Sequence, residues 1–261
     1  MMKRAFLSLT LFGLVIFCLL SCGAKDDDWI QLFNGKDLTG WTPKITGYDV
    51  GENYGETFRV EDGLLTVSYK KYYRFDNRFG HLFYKDKFSD YLLRIEYRFI
   101  GEQAEGGAQW AKKNSGVMLH AQSPESMNNQ QDFPISLEAQ FLGGLGNGDR
   151  PTGSLCTPGT NVDIDGKFTT QHCITANAPT YDDEQWITID ILVRNNQEIA
   201  HIIDGDTLIK YSNPVIGGGA VNNLKEEANQ DGKLLKEGYI ALQSESHPIQ
   251  FRKVMLKDLS K

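Results

Sequence analysis

The decapeptide Ile135 to Gly144, ISLEAQFLGG, sets a carboxylate and an amide two residues apart, at Glu138 and Gln140. In an extended chain alternate residues share a face. Ser136, Glu138 and Gln140 then project to one side, and Leu137, Ala139 and Phe141 to the other. The two polar heads stand roughly 6–7 Å apart along such a strand, where a carboxylate can move a proton while the amide holds a hydroxyl. The same alternation also describes the solvated face of a two-sided antiparallel strand.

Further polar groups share faces elsewhere. Met118 and His120 lie on one side of Gly116–Ala121, with Val117 and Leu119 on the other. Gln243 and Glu245 share a face at the end of Tyr239–Ser244, with His247 just beyond. Neighbouring antiparallel strands lie about 4.8 Å apart, so strands paired in one sheet would carry a strip of His, Glu, Gln, Glu and His. Amides, carboxylates and imidazoles flanked by aromatic loops suit a polyhydroxylated ligand. Trp110, in the Gly101–Lys113 loop, is one such aromatic, and the basic, aromatic stretch Lys70–Arg78 is either another loop over the groove or a charged edge strand. Each group also has a plainer reading: His120 as a satisfied, partly buried ring, Glu245 as a rim partner of Arg252, His247-Pro248 as a turn, and His201 as an exposed residue. A divalent ion held by His120, Glu138 and Glu245 is possible, because imidazole and carboxylate together suit zinc or manganese, but the spacing does not demand one.

These side chains need strands to hold them. Tyr91–Ile100 and Trp186–Arg194 alternate strongly, and Asp62-Gly63 and Asp204-Gly205 mark hairpin turns. Gly238–Ser244 and Gln250–Leu256 are the closing strands. Gly144–Thr180 is a long excursion rich in turn formers, and Asn213–Lys236 is a polar connection with a short helical turn near Leu224–Ala228. No long helical periodicity follows the N-terminal segment. Ten or more short strands predict an all-β sandwich or jelly roll of two antiparallel sheets.

The first 21 residues read as a lipoprotein signal peptide. Lys3 and Arg4 precede a largely apolar run that ends at Leu19-Leu20-Ser21-Cys22. Cys22 is the expected lipidation site, 22–28 an acidic tether, and 29–261 the folded domain, anchored by lipid alone to the outer membrane on its periplasmic or cell-surface side. Removing the signal takes the formal charge from −7 to −9. That acidity argues against a nucleic-acid partner. In an exported chain Cys156 and Cys173 are free to form a disulfide. Oligomeric state is not readable.

Several segments together resemble the 3-keto-disaccharide hydrolase domain family. These are LFNGKDLTGW at Leu32–Trp41, NSGVMLH at Asn114–His120, LEAQ at Leu137–Gln140, TGSL at Thr152–Leu155, GYIALQ at Gly238–Gln243, and Phe251-Arg252. His120 stands where many members carry Arg. The resemblance implies a concanavalin A-like jelly roll. It also implies cleavage of glycosides oxidised at C3, whose acidified C2 proton permits β-elimination of the C1 group and later hydration. On that basis Glu138 or His120 is the C2 base, Glu245 or His247 the acid, and Gln140, Gln243, Met118, Trp110 and Arg252 the substrate-binding set. Three rival readings remain: a glycosidase using Glu138 and Glu245 as an acid/base pair, a non-catalytic carbohydrate-binding lipoprotein, and a structural surface lipoprotein, which the size of the polar cluster disfavours.

Overall fold

The computed structural model describes residues 28–182 and 184–260. The proposed signal peptide, Cys22 and the tether as far as residue 27 lie outside the described residues. Seventeen strands follow one another with four short 3-10 turns. In chain order they are β1 (Trp29–Gln31), β2 (Trp41–Ile45), β3 (Phe58–Glu61), β4 (Leu64–Val67), β5 (Gly80–Phe88) and β6 (Asp90–Phe99). Next come β7 (Asn114–Ala121), β8 (Leu137–Leu142), β9 (Ser154–Cys156), β10 (Thr160–Ile164), β11 (Lys167–Thr169) and β12 (Cys173–Ile174). The last five are β13 (Ile187–Arg194), β14 (Glu198–Ile203), β15 (Asp206–Ile216), β16 (Gly238–Ser244) and β17 (Ile249–Asp258).

They form two antiparallel sheets, so the chain is a jelly-roll sandwich as expected. A ten-stranded sheet runs β11-β10-β15-β14-β13-β6-β17-β4-β3, with β1 also paired to β17. A seven-stranded sheet runs β12-β9-β8-β7-β16-β5-β2. The core between them follows from alternation. Leu93, Ile95 and Tyr97 of β6 and Ile187, Ile189, Ile191 and Val193 of β13 meet Val117 and Leu119 of β7 and Leu137, Ala139 and Phe141 of β8. β1 lies against the end of β17, with Ile30 opposite Leu256, so both ends of the described chain meet on the ten-stranded sheet.

Two sequence expectations are corrected here. The 144–180 excursion is not irregular throughout, because it contributes β9 to β12 to the two sheets. Between Lys70–Arg78 and Tyr91 there is a further strand, β5, which lies inside the seven-stranded sheet between β16 and β2.

Gly238 marks the tightest approach in the site-bearing sheet. A Cβ there would stand 2.3 Å from the His120 carbonyl carbon and 2.5 Å from its Cα. Both are backbone atoms, so β7 and β16 would have to part. Gly238→Ala is therefore expected to cost about 3 kcal/mol or more, at the upper end for overpacking, read as a lower urea midpoint. An unchanged midpoint would show that the strands separate freely.

Candidate functional site

The face of the seven-stranded sheet turned away from the core carries the polar residues. Across its strands, Lys44 pairs with His81, His81 with Gln243, and Gly116 with Gln140, which in turn pairs with Ser154. Leu242 opposite Val117 brings Gln243 beside Gly116. Glu138 stands in the next row, between Met118 and Cys156. Gly116 has a specific task, since a Cβ there would lie 2.5 Å from Glu138 Oε1. The missing side chain is the space into which the Glu138 carboxyl folds, which gives the Asn-Ser-Gly segment of β7 its physical meaning.

Above this floor lies a cleft of about 1710 Å³. Glu138, Gln140, Asn114, Glu245 and Arg150 line its base. Trp110, Phe79 and Phe133 form one wall. The Trp110 indole is 55% exposed and stacks on Phe79 at 6.0 Å and 15°, and Phe79 packs against Phe133 at 5.0 Å. Asp132, Asn222 and Asn223 stand on another side, joined by hydrogen bonds from the Asn222 N–H and amide to the Asp132 carboxylate.

Buried polar atoms without partners converge at the base of this cleft and just beneath it. They are Glu138 Oε1, Glu245 Oε2, Asn114 Oδ1, both amide atoms of Gln243 and both ring nitrogens of His81. Each such atom costs roughly 1–3 kcal/mol when left unpaired. Clustered on four strands, they describe a surface that hydroxyl and carbonyl groups of a ligand would satisfy.

Glu138 and Glu245 are almost wholly buried. Burial raises Glu138 above the usual carboxylate range, and the nearby Gln243 amide opposes this without reaching good hydrogen-bond geometry. Glu245 is raised well above that range, first by burial and then by the charge of Glu138, while Arg150 pulls it back. Two carboxyls that cannot both ionise cheaply make a pair with one acid and one base.

Arg150 is a cation fixed at the base of the cleft, which Arg78 also lines. Its guanidinium donates to the carbonyls of Lys113 (2.8 Å), Gly143 (2.6 Å) and Trp110 (3.2 Å), tying the aromatic wall to the base of the cleft. Glu245 is set by its neighbour Ser246, held at φ 88°. The Ser246 N–H donates to Tyr69 Oη at 2.8 Å, its hydroxyl accepts from Gln103 Nε2 at 2.9 Å, and its carbonyl accepts from the Ala104 N–H. A non-glycine residue in this region is strained, and it persists because its surroundings fix it.

The remaining sequence candidates lie elsewhere. β7 carries an extra residue between Met118 and Ala121, opposite Ala241 and Tyr239, and this bulge breaks its alternation. His120, at φ 49°, swings its Nε2 to the Asn195 carbonyl at 3.0 Å, away from the cleft. His247 falls on the far side of the Ser246 twist, with its ring edge-on to Phe99 at 5.6 Å, and does not line the cleft. Met118 is buried with Phe83, Ala121, Met127 and Ala241. Arg252 pairs with Glu96, not Glu245, and covers the Trp186 ring on the ten-stranded sheet. His201 is fully buried rather than exposed, bonded to the Gly153 carbonyl (2.7 Å) and the Tyr211 hydroxyl (3.0 Å). Gln243 belongs to the floor beneath the cleft. Of the sequence set, Glu138, Glu245, Gln140 and Trp110 come together in the cleft itself. Asn114, His81 and Arg150 were not singled out. Asn114 shares a face with Gly116 and was within reach of alternation, whereas His81 sits on the unrecognised β5 and Arg150 in an irregular loop.

With His120 remote, the ion set His120, Glu138 and Glu245 is not assembled. Among the described residues, the one group of His, Cys, Asp and Glu with three donor atoms mutually within 4.8 Å is Cys156, His172 and Cys173. The expected Cys156–Cys173 disulfide is present and joins β9 to β12.

Buried histidines give a pH prediction. Burial lowers His81 from 6.5 to about 3, and His201 and His247 from 6.5 to about 4. A base depressed in the fold stabilises it fully above its unfolded pKa and loses that contribution as pH falls toward the folded value. Glu138 and Glu245, raised in the fold from 4.5, act oppositely and cost stability as pH rises above 4.5. The urea midpoint is thus expected to fall below pH 6.5, most steeply below 4.5 where the carboxyls no longer oppose. A midpoint constant from pH 6.5 to 4 would contradict neutral buried imidazoles.

Comparison with known families matches residues 28–257 to the 3-keto-alpha-glucoside-1,2-lyase-like domain. No curated protein sequence matches the chain. Among solved structures, a provisionally named glycosyl hydrolase of Parabacteroides distasonis ATCC 8503 superposes with a TM-score of 0.53 at 18% identity, over 90% of this chain and 96% of that one. A Bacillus subtilis protein of unknown function with a galectin-like fold gives 0.51 at 11% identity, over 88% and 94%. At these identities the likeness is one of fold.

Proposed function

The chain belongs to the 3-keto-alpha-glucoside-1,2-lyase-like domain family, and on that premise we propose that its cleft cleaves 3-keto-glycosides or 3-keto-disaccharides by β-elimination. The observation that carries this reading is the pair of buried carboxyls, Glu138 and Glu245, at the base of one cleft. Burial raises both carboxyls and the charge of one holds the proton on the other, so the pair supplies one base and one acid, and Glu138, folded over Gly116 on the floor of the cleft, is assigned the base. Glu245 is then assigned the acid, an order that the leaving-group dependence of the two Glu→Gln variants decides.

The steps follow from substrate chemistry. A C3 ketone acidifies the C2 proton. Glu138 takes that proton, the C2–H electrons form a C1=C2 double bond, and the C1–O bond breaks. Glu245 protonates the departing oxygen. Negative charge develops on the C3 oxygen in the transition state, and the fixed Arg150 guanidinium is the group that stabilises it. Water then adds across the enone to give the free 3-keto sugar. Gln140 and Asn114 orient ring hydroxyls, and the open face of Trp110 receives the leaving group.

The test is aglycone release from a chromogenic 3-keto-glucoside and from the unoxidised glucoside. Release from the keto compound alone supports elimination. Release from the plain glucoside would replace it with a two-carboxylate hydrolase, and binding of both without release would leave a carbohydrate-binding module.

A further inference from the structure

The Cys156–Cys173 bond has an imidazole beside it, which a simple staple does not require. β12 is two residues long and lies against β9, with Cys173 directly opposite Cys156 and their Cα atoms 4.1 Å apart. His172 precedes Cys173, and one of its ring nitrogens lies within 4.8 Å of both sulfurs, which the bond itself holds together. All three residues line the cleft, and Cys156 stands across the ladder from Glu138.

The segment closed by the bond is tied down without it. β10 runs along β15. The Thr157 N–H and hydroxyl both donate to the His172 carbonyl, at 2.8 and 3.1 Å, and the Thr160 hydroxyl donates to the Ser136 carbonyl at 2.7 Å. Opening the bond therefore leaves both cysteines and His172 near their places. Cys173 is an exposed residue on the lip of the cleft, where an external thiolate can approach, and exposed disulfides are the ones that exchange.

We propose that Cys156, Cys173 and His172 form a thiol-gated zinc site on the lip of the cleft, closed by the disulfide and opened by a dithiol reductant. In the opening step the dithiol passes two electrons and two protons to the bond, becoming a disulfide itself and leaving two cysteine thiols. Zinc(II) then displaces the two thiol protons and is held by two thiolates and an imidazole nitrogen. Two sulfurs and one nitrogen suit zinc, and three protein ligands leave a fourth tetrahedral position toward the cleft.

Cobalt(II) added to the purified full chain is the probe. Before reduction no thiolate-to-cobalt charge-transfer band is expected. After reduction with a dithiol and its removal, the band should appear and saturate at one cobalt per chain, together with the visible bands of a tetrahedral ion. The double variant Cys156→Ser/Cys173→Ser keeps Cys18 and Cys22 and should show no band. Loss of an outer partner alone weakens metal sites roughly 10–100-fold, so His172→Ala should weaken cobalt at least about that much. A reduced chain with both thiols titrated free and no band would overturn the proposal. So would a band unchanged in His172→Ala, or loss of binding because the β9–β12 ladder comes apart, since the site requires that ladder to stay assembled.

Discussion

Glu138→Gln is expected to lower kcat on a 3-keto aryl glucoside by about 10²–10⁴-fold, the contribution of a positioned general base, and to do so equally for every leaving group. The amide keeps the shape over Gly116 and cannot accept the C2 proton. It also relieves a buried carboxyl, so the melting temperature should hold or rise. Glu245→Gln should behave differently. An acid assists only the departing oxygen, so its loss is small for a nitrophenol and grows toward 10²–10⁴-fold for a sugar or alkyl leaving group. Swapped behaviour, with Glu245→Gln uniform and Glu138→Gln graded, would reverse the two roles. Near-wild-type rates for both variants would remove the pair from the chemistry altogether.

Arg150→Met is expected to have the second largest effect, because it strikes charge and architecture together. The guanidinium bonds three carbonyls in two segments, Trp110 and Lys113 in one loop and Gly143 after β8, and opposes the charge of Glu245. Its loss should cost about 10²–10³-fold in kcat, the range for removing one preorganised donor from a developing oxyanion, and should lower the melting temperature. Arg150→Lys separates the two contributions. A lysine restores a charge but lacks the planar fork that reaches several acceptors at once. Some catalysis should return while the melting temperature stays low. An Arg150→Met variant that is only less stable, with kcat intact, would make Arg150 a brace of the aromatic wall and nothing more.

How far the sequence leads to this site depends on which residues are regular. β8 is legible because its alternation is unbroken, and Glu138 and Gln140 emerge on the face that alternation assigns them. β7 shows where the rule stops. One extra residue past Met118 turns His120 toward the opposite sheet, and nothing in the local sequence announces a bulge. Past β16 the twist at Ser246 has the same effect, keeping Glu245 in the cleft and sending His247 behind it. β5 escapes notice because it is buried through its first half and then charged, giving no steady period of two. With it goes His81. Arg150 has no periodicity to reveal it, and its role is defined by tertiary contacts, with the Trp110 and Lys113 carbonyls, the Gly143 carbonyl and the charge of Glu245. Family resemblance supplies the chemistry, and geometry decides which candidates stand where that chemistry can occur.

β1 lies along the end of β17, so the polypeptide enters and leaves on the sheet that does not carry the cleft. An attachment joined at the start of β1 or the end of β17 therefore bears on the ten-stranded sheet and not on the strands that carry the cleft. A tether joined there holds the domain as a wrist holds an open palm, leaving the seven-stranded face free for a large ligand to approach.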